Sequence, residues 1–377
     1  MRILTRMIAK EVLFSSFFVL LALVALFAFF DLIRQADEIG TEYSILQAFI
    51  LTALILPTRC YEVLPIAAML GSVYTLANLA QSSEFTIMRA AGLSPWRLCM
   101  MLMLPGILMV AFSYFMGEYI APPSQQLSKE FKLDLSGQSF TGRDFRSGIW
   151  VRDDKHDDQG NIERVAFVNV GSLKPDVGAF NWEIFLFNNK EELKSVIKAE
   201  KGTYNKEQGW ILENVTEQIV PNVPKDQVTP TDIKVKIEHY QTMVWGKSLD
   251  QNIFGLMMIK PENMSMQDLY HYIEHLKENG QQSGNYEAAF WNKVFYPFAI
   301  LVMLVLSMPF AYLNARSGGI AIKIFFGIMI GIAFYALNNL FAFMSVMNSA
   351  PPILAALTPS LVMLALATGV MYWVERR

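Results

Sequence analysis

Three observations predict an α-helical membrane protein with six transmembrane helices and one inserted, extracytoplasmic all-β domain. Long apolar runs recur towards both ends of the chain, a polar stretch with a period of two separates them, and the overall composition is mixed. Of 377 residues, 53% are hydrophobic and 17% charged, and the mean hydropathy is +0.30. The chain is therefore too apolar for an ordinary soluble enzyme and too charged to lie wholly in lipid. A net charge of -3 excludes a broad basic face for nucleic acid. The expected organisation is residues 1–122 for the first three spans, with a polar cytoplasmic helix at about 82–92. Residues 123–263 then form the β domain, 264–286 an amphipathic connector and 287–377 the last three spans.

Arg2, Arg6 and Lys10 precede an apolar run from Val12 to Phe30, which at 1.5 Å per residue crosses roughly 30 Å of hydrocarbon. Its apolar core is too long for a secretory signal and no small-residue cleavage site is visible, so it reads as an uncleaved anchor. Asp31, Arg34, Asp37 and Glu38 crowd its far end. Residues 44–80 are apolar but too long for one straight span, and Pro57 and Pro65 predict breaks, giving an interfacial or tilted lead followed by a span. The segment LAQSSEFTIMRAAGLSPWR, from Leu79, then interrupts the apolar sequence. Ser82 or Ser83 can cap a short helix there, Glu84 suits its first turn, Gly92 can end it, and Ser94 with Pro95 begins the next. Phe85, Met88 and Ala91 lie three apart and form an apolar edge, with Phe85 and Met88 expected to be exposed to a partner. Leu98 to Ile120 is the third span, ended by Pro122 and Pro123.

Beyond it, Ile149 to Arg152, Arg164 to Val170, Trp182 to Asn188, Gly209 to Asn214 and Lys234 to Ile237 read as strands, rich in β-branched and aromatic residues. Turn-forming stretches beginning at Asp153, Phe187 and Tyr204 separate them. Many short strands favour a sandwich, barrel or jellyroll over a parallel sheet. In the connector, Ser265 can cap, Leu269, Tyr272, Ile273 and Leu276 form one face, and Gly280 can terminate. Phe295 to Leu313, Ile320 to Phe343 and Pro352 to Trp373 complete the spans. Arg2, Arg6, Lys10, Arg89, Arg97, Arg316, Lys323, Arg376 and Arg377 all fall on one side, which is then cytoplasmic and carries both termini. Cys60 and Cys99 fall near opposite faces and cannot pair with each other.

His271, Glu274 and His275 spell H-x-x-E-H, an inverted zinc-protease order, but both imidazoles project away from the apolar face towards solvent, where no third ligand is in view. Gly246, Lys247 and Ser248 resemble the tail of a phosphate loop, yet Gln241 stands where the first glycine is required. No nucleotide is expected to bind this chain, and any ATP is hydrolysed elsewhere. Two glycosylation sequons, at Asn214 and Asn263, read as incidental. Gly327 and Gly331 form a G-x-x-x-G pair, and Ala67 with Gly71 a weaker small-residue pair; each serves either intrachain packing or contact with another subunit. Arg34 either meets an anionic head group or snorkels to lipid phosphates, with acids nearby to neutralise it. Arg59 and Glu62 suit a local ion pair. Trp291 and Trp373 read as interface anchors.

Together these residues resemble the LptF/LptG (YjgP/YjgQ) family of permeases in the lipopolysaccharide-export ABC transporter. The resemblance rests on YEVLPIAAMLGSVYTLANLAQSSEFTIMRAAGLSPWR from Tyr61, the L-x-x-Y-I-x-x-L-x-x-x-G helix from Leu269, Trp291 with Lys293 and Pro297, and FYALNNLF from Phe334. The RAAG form at Arg89 to Gly92 and the PPILAALTPS run from Pro351 look more like the LptG side of the family. The resemblance implies a β-jellyroll insert, a second LptF-type permease, a cytoplasmic LptB-type ATPase dimer holding ATP and Mg, and a single-span LptC-type bridging jellyroll protein. It makes the segment at 82–92 an ATPase-coupling helix, with Ser83 and Glu84 matching the family pair and Phe85, Met88 and Arg89 beside them. It also implies that the first and fifth spans border a lipid cavity and lateral gate, at Phe30 and Arg34 on one and Gly327, Gly331, Ile332 and Tyr335 on the other.

The reading is a non-catalytic permease subunit that extracts lipopolysaccharide from the outer leaflet of the inner membrane and passes it towards a periplasmic bridge. The alternative with the same topology is a transmembrane scaffold or sensor whose β domain binds a ligand. A membrane metalloprotease would rest on His271, Glu274 and His275 alone.

Overall fold

A computed structural model describes residues 2–36, 39–40, 44–135, 148–156, 162–174, 178–188, 192–221, 235–246, 259–312, 320–347 and 350–376. Asp37 and Glu38, the strand start at Lys234, the Lys247–Ser248 pair, and Arg316 and Arg377 lie outside the described residues. The chain divides into two compact units, one of Met1–Lys129, Pro261–Tyr270 and Ser283–Arg377, the other of Glu130–Lys260 and His271–Gln282.

The first unit is built around α2 (Ile45–Gln81). Among the described residues six helical stretches are long and apolar enough to cross a membrane, and α2 is the most enclosed of them, 83% of its apolar window being buried, against 17% for α1 (Arg2–Gln35). Pro57 and Pro65 do not break α2, contrary to the sequence expectation: it is one continuous helix of 37 residues. An interior proline removes one backbone hydrogen bond and crowds the preceding turn. Here neighbouring helices supply donors at that turn. The carbonyl three residues before Pro57, on Leu54, accepts from the Ser124 hydroxyl at 2.5 Å, and the one three before Pro65, on Glu62, accepts from the Tyr296 hydroxyl. The same pattern recurs at Pro297, where the Val294 carbonyl accepts from the Tyr114 hydroxyl. In lipid, where water cannot reach the loosened turn before a proline, these donors bond the carbonyl next to the one the proline leaves without its N–H.

A short helix α3 (Glu84–Ala90) follows, then α4 (Pro95–Phe115), a π-helical stretch Met116–Ile120, and α5 (Ala121–Leu135). Gly117 within the π stretch lies against Tyr61, and a Cβ there would sit 2.6 Å from the ring. The helices α1 and α2 cross at Gly71, where a Cβ would lie 2.4 Å from Ser16 backbone atoms, and Thr75 donates to Ser15 at 3.0 Å. The small pair Ala67–Gly71 is therefore used within the chain. Ile8, Val12, Leu64, Leu76, Leu98, Leu102, Ile300 and Leu304 pack into the main core of this unit. Cys60 and Cys99 are both free thiols.

In the second unit, β1 (Ile149–His156), β2 (Ile162–Lys174), β3 (Gly178–Phe187), β4 (Leu193–Asn205), β5 (Gly209–Ile219) and β6 (Lys236–Gly246) form one antiparallel sheet in sequential order. The register runs from Ile149 opposite Val170 to Trp210 opposite Gly246. Ile149, Val151, Val168, Val170, Ile184, Ile197, Trp210 and Leu212 point to the buried side at the strand period. That period slips at Asn181 and Asn214, whose φ values of 55° and 53° place them in the left-handed region that asparagine tolerates. β4 escaped the sequence reading because its inward positions are Ser195, Ile197 and Ala199, with one large apolar residue among them.

The connector helix α6 (Met266–Glu278) has its first five residues in the first unit and the rest in the second. Leu269, Tyr272, Ile273 and Leu276 are all buried. After α6 come α7 (Gly284–Phe295), a 3-10 turn Tyr296–Phe298, α8 (Ala299–Ser307) and α9 (Pro309–Tyr312), then α10 (Ile320–Val346) and α11 (Pro352–Glu375). Lys323 is not a loop charge: it lies in α10, buried, and donates to the Phe310 carbonyl at 3.3 Å, near the C-terminal end of α9, where a cation is favoured.

Candidate functional site

Helix α3 projects from the α2–α4 junction on a fixed base. Gly92, at φ 92°, takes the left-handed turn that ends it. The Gly92 N–H donates to the Arg89 carbonyl at 2.9 Å and the Leu93 N–H to Met88 at 3.0 Å, which together make a Schellman motif. The next helix begins with Ser94 accepting from the Arg97 N–H, and the Arg97 guanidinium returns to the Gly92 carbonyl at 3.1 Å. At the other end the sequence expectation needs correction. Ser83 precedes the helix at φ 63° and makes no side-chain cap, while the Ser82 hydroxyl donates back to Leu79.

The expected exposure of Phe85 and Met88 is also overturned. Phe85 is 2% exposed, with its ring edge-on to Tyr312 at 5.1 Å, and Met88 packs partly buried against the same core. Arg89 lies over the Tyr312 ring at 5.0 Å, a cation–π contact that orders its long side chain. Phe85 and Met88 therefore seat the helix. The surface it presents is Glu84, Ile87 and Ala91, extended by Trp96. Ile87 is 68% and Trp96 69% exposed. Sequence reasoning missed both, although Glu84, Ile87 and Ala91 also repeat at helical spacing.

On the helices assigned to the lipid cavity, Phe30, Ile332 and Tyr335 are exposed. Gly327 and Gly331 are not: both are buried in α10, where a Cβ would meet Leu70 at 2.9 Å and Ile66 at 3.0 Å on α2. Of the two readings open for this glycine pair, the structure shows intrachain packing. Arg34 is paired with Asp31. Asp31, 5% exposed, also takes both Nε and Nη2 of Arg59 at 2.9 and 3.0 Å, and Arg59 bonds Glu62 at 2.8 Å. The ion pair inferred for Arg59 and Glu62 is thus part of a four-residue cluster joining α1 to α2. Its two acids and two bases balance, so Arg34 is not a free cation.

Among the described residues no group of three or more His, Cys, Asp and Glu is placed to hold a metal ion. His271 is exposed, but His275 is half-buried rather than pointing to solvent. Its ring lies 6.3 Å from that of Tyr272, and burial pushes its pKa below the ordinary histidine value, with Asp153 and Glu278 opposing that shift. In the same unit Asp153 accepts from the Trp245 indole at 3.0 Å, and Arg164 stacks over that indole at 4.5 Å.

The family model described as lipopolysaccharide export system permease LptF/LptG matches residues 6–373. The lipopolysaccharide export system permease protein LptG of Haemophilus influenzae is 30% identical over 373 residues, covering 98% of this chain and 97% of that protein. Its namesake from Escherichia coli K12 is 28% identical over 365 residues, covering 95% and 94%. With six apolar helical stretches among the described residues and an antiparallel sheet inserted in the sequence between the third and fourth, the chain is a multi-pass inner-membrane protein that belongs to the LptF/LptG family of lipopolysaccharide export permeases.

Proposed function

We propose that this chain is the LptG-type permease of a lipopolysaccharide-extracting ABC transporter, with α3 as the inlet for mechanical work. An LptB-type ATPase dimer on the cytoplasmic side binds ATP and Mg and engages Glu84, Ile87 and Trp96. The termini lie on that side and the β domain in the periplasm. Lipopolysaccharide enters sideways from the outer leaflet into a cavity shared with an LptF-type permease, its acyl chains against the apolar faces of α1 and α10 around Phe30, Ile332 and Tyr335. Closure expels it towards the β domain and on to an LptC-type bridging protein. The cycle is a two-state change driven by the ATPase's different contacts with the two states. Arg34 borders the cavity, but its pairing with Asp31 leaves it little positive charge to offer a lipid phosphate.

The observation that carries this reading is the division of α3 into a seated face, Phe85 and Met88, and an exposed face, Glu84 and Ile87. A helix firmly based yet exposed at an acid and a large apolar residue suits rigid-body transmission. The test is Glu84→Lys in the complete complex. Export and ATPase docking are expected to fall while the chain still inserts, and unchanged export would remove Glu84 from the coupling role.

A further inference from the structure

The N-terminus of connector helix α6 is held by side chains from two different spans. Its own capping box is complete: the Ser265 hydroxyl accepts from the Asp268 N–H at 3.0 Å, and the Asp268 carboxylate accepts from the Ser265 hydroxyl at 2.7 Å and its N–H at 3.4 Å. That box leaves the N–H groups of the first two helical residues without intrahelical partners. Glu118 supplies acceptors for both, Oε2 for Met266 at 2.8 Å and Oε1 for Gln267 at 3.4 Å. From α7, Lys293, 8% exposed, donates through Nζ to the carbonyl of Met264, which is itself 1% exposed. A carboxylate at a helix N-terminus and an ammonium on a buried carbonyl are both charge-assisted contacts. Glu118 completes the cap of α6 from another element, and with Lys293 it fixes where the helix starts.

Glu118 also stands at a particular place in the chain. Directly after α3 and its Gly92 turn, α4 runs from Pro95 to Phe115, 21 residues, or about 30 Å of helix. Glu118 lies in the π stretch at its far end, next to Gly117 and its contact with Tyr61. A π segment re-aims the side chains that follow it. One end of this helix thus adjoins α3, and the side chain at the other grips the start of α6, whose residues belong to both units.

We infer that Glu118 is a positioning residue for export: displacement of α3 travels along α4 and is delivered through Glu118 to α6. Lys293 steadies the receiving segment at Met264. This rests on the coupling role proposed for α3. The physical link is an unbroken run of helix ending in two hydrogen bonds, as coupling between distant sites requires.

The experiment uses the complete transporter in proteoliposomes, with Cys60 and Cys99 replaced and spin labels at Phe115→Cys and Tyr270→Cys, both exposed positions. A nonhydrolysable ATP analogue is expected to shift the label distance in the parent. Glu118→Ala is expected to abolish that shift and lower lipopolysaccharide release by at least about tenfold, a coupling loss of ordinary size. ATP hydrolysis and ATPase copurification stay within about twofold of the parent. Glu118→Gln, which keeps one acceptor oxygen, falls between the two. The inference is overturned if Glu118→Ala retains the shift or the release, if it loses the ATPase as well, or if Glu118→Gln is no better than Ala. Glu84→Lys measured alongside separates the two readings. If Glu84→Lys uncouples and Glu118→Ala is silent, only this inference fails; if Glu84→Lys is silent, the coupling role of α3 fails.

Discussion

Adding one methyl group at Gly71 tests how tightly the first two helices are joined. The Cβ of Gly71→Ala would sit 2.4 Å from the Cα, N and Oγ of Ser16, where carbon contacts ordinarily settle at about 3.5–4.0 Å. Two of those three atoms are backbone, so no rotamer change relieves the clash and α1 must retreat by about 1 Å or more. Overpacking of this kind costs about 1–3 kcal/mol, and at about 2–4 °C per kcal/mol the midpoint should fall by roughly 5 °C. Thermal unfolding in mild detergent reads the fall. Cross-linking of Ser15→Cys with Thr75→Cys, whose native hydroxyls are 3.0 Å apart, reads the displacement. Two other glycines serve as controls. At Gly327 the new methyl meets the flexible end of Leu70 at 2.9 Å, so Gly327→Ala should cost less; at Gly369 nothing lies within 4 Å, and Gly369→Ala should be neutral or stabilising by up to about 1 kcal/mol. If Gly71→Ala melts with the parent, or if Ser16→Gly fully rescues it, the backbone clash is not what sets the α1–α2 spacing.

The other predictions concern charge. Asp31→Asn leaves Arg59 with Glu62 alone and should cost about 1–3 kcal/mol, whereas Arg34→Ala, at a side chain 65% exposed, should stay within about 0.5 kcal/mol; thermal melts of the two variants give the comparison, and equal losses would contradict it. For His275, burial lowers the folded-state pKa. The unfolded chain therefore binds the proton more readily, and stability falls as pH drops through the ordinary histidine value of about 6.5 towards the lower folded one. His275→Gln should flatten that slope in melts of the full-length protein taken across the window, and an unchanged slope would assign it to other groups.

The limits of sequence reading follow from what periodicity measures. Gly92, Ser94 and Pro95 were legible because a left-handed turn and a helix start are local requirements on single residues. Phe85 was misread because an apolar edge on a short helix looks the same whether it meets a partner or its own core, and the answer depended on Tyr312, far along the chain. Pro57 and Pro65 predicted breaks for the same reason, since the side chains packed at those turns, Ser124 and Tyr296, come from distant parts of the chain. β4 was missed because its inward side chains are small, the facing space being filled by Trp182 and Trp210. The glycine pair in α10 was ambiguous until Ile66 and Leu70 were found against it.

By itself, the sequence determined six apolar spans, an all-β insert between them and where a short polar helix ends, because hydropathy, strand alternation and a glycine stop are properties of neighbouring residues. Tertiary structure alone decided which face of α3 is seated and which is presented, that Asp31 binds Arg59 as well as Arg34, and that Glu118 holds the start of α6. Those contacts join residues far apart in the chain, Phe85 to Tyr312 and Glu118 to Gln267 among them. Their geometry depends on how helices cross, which no local pattern encodes.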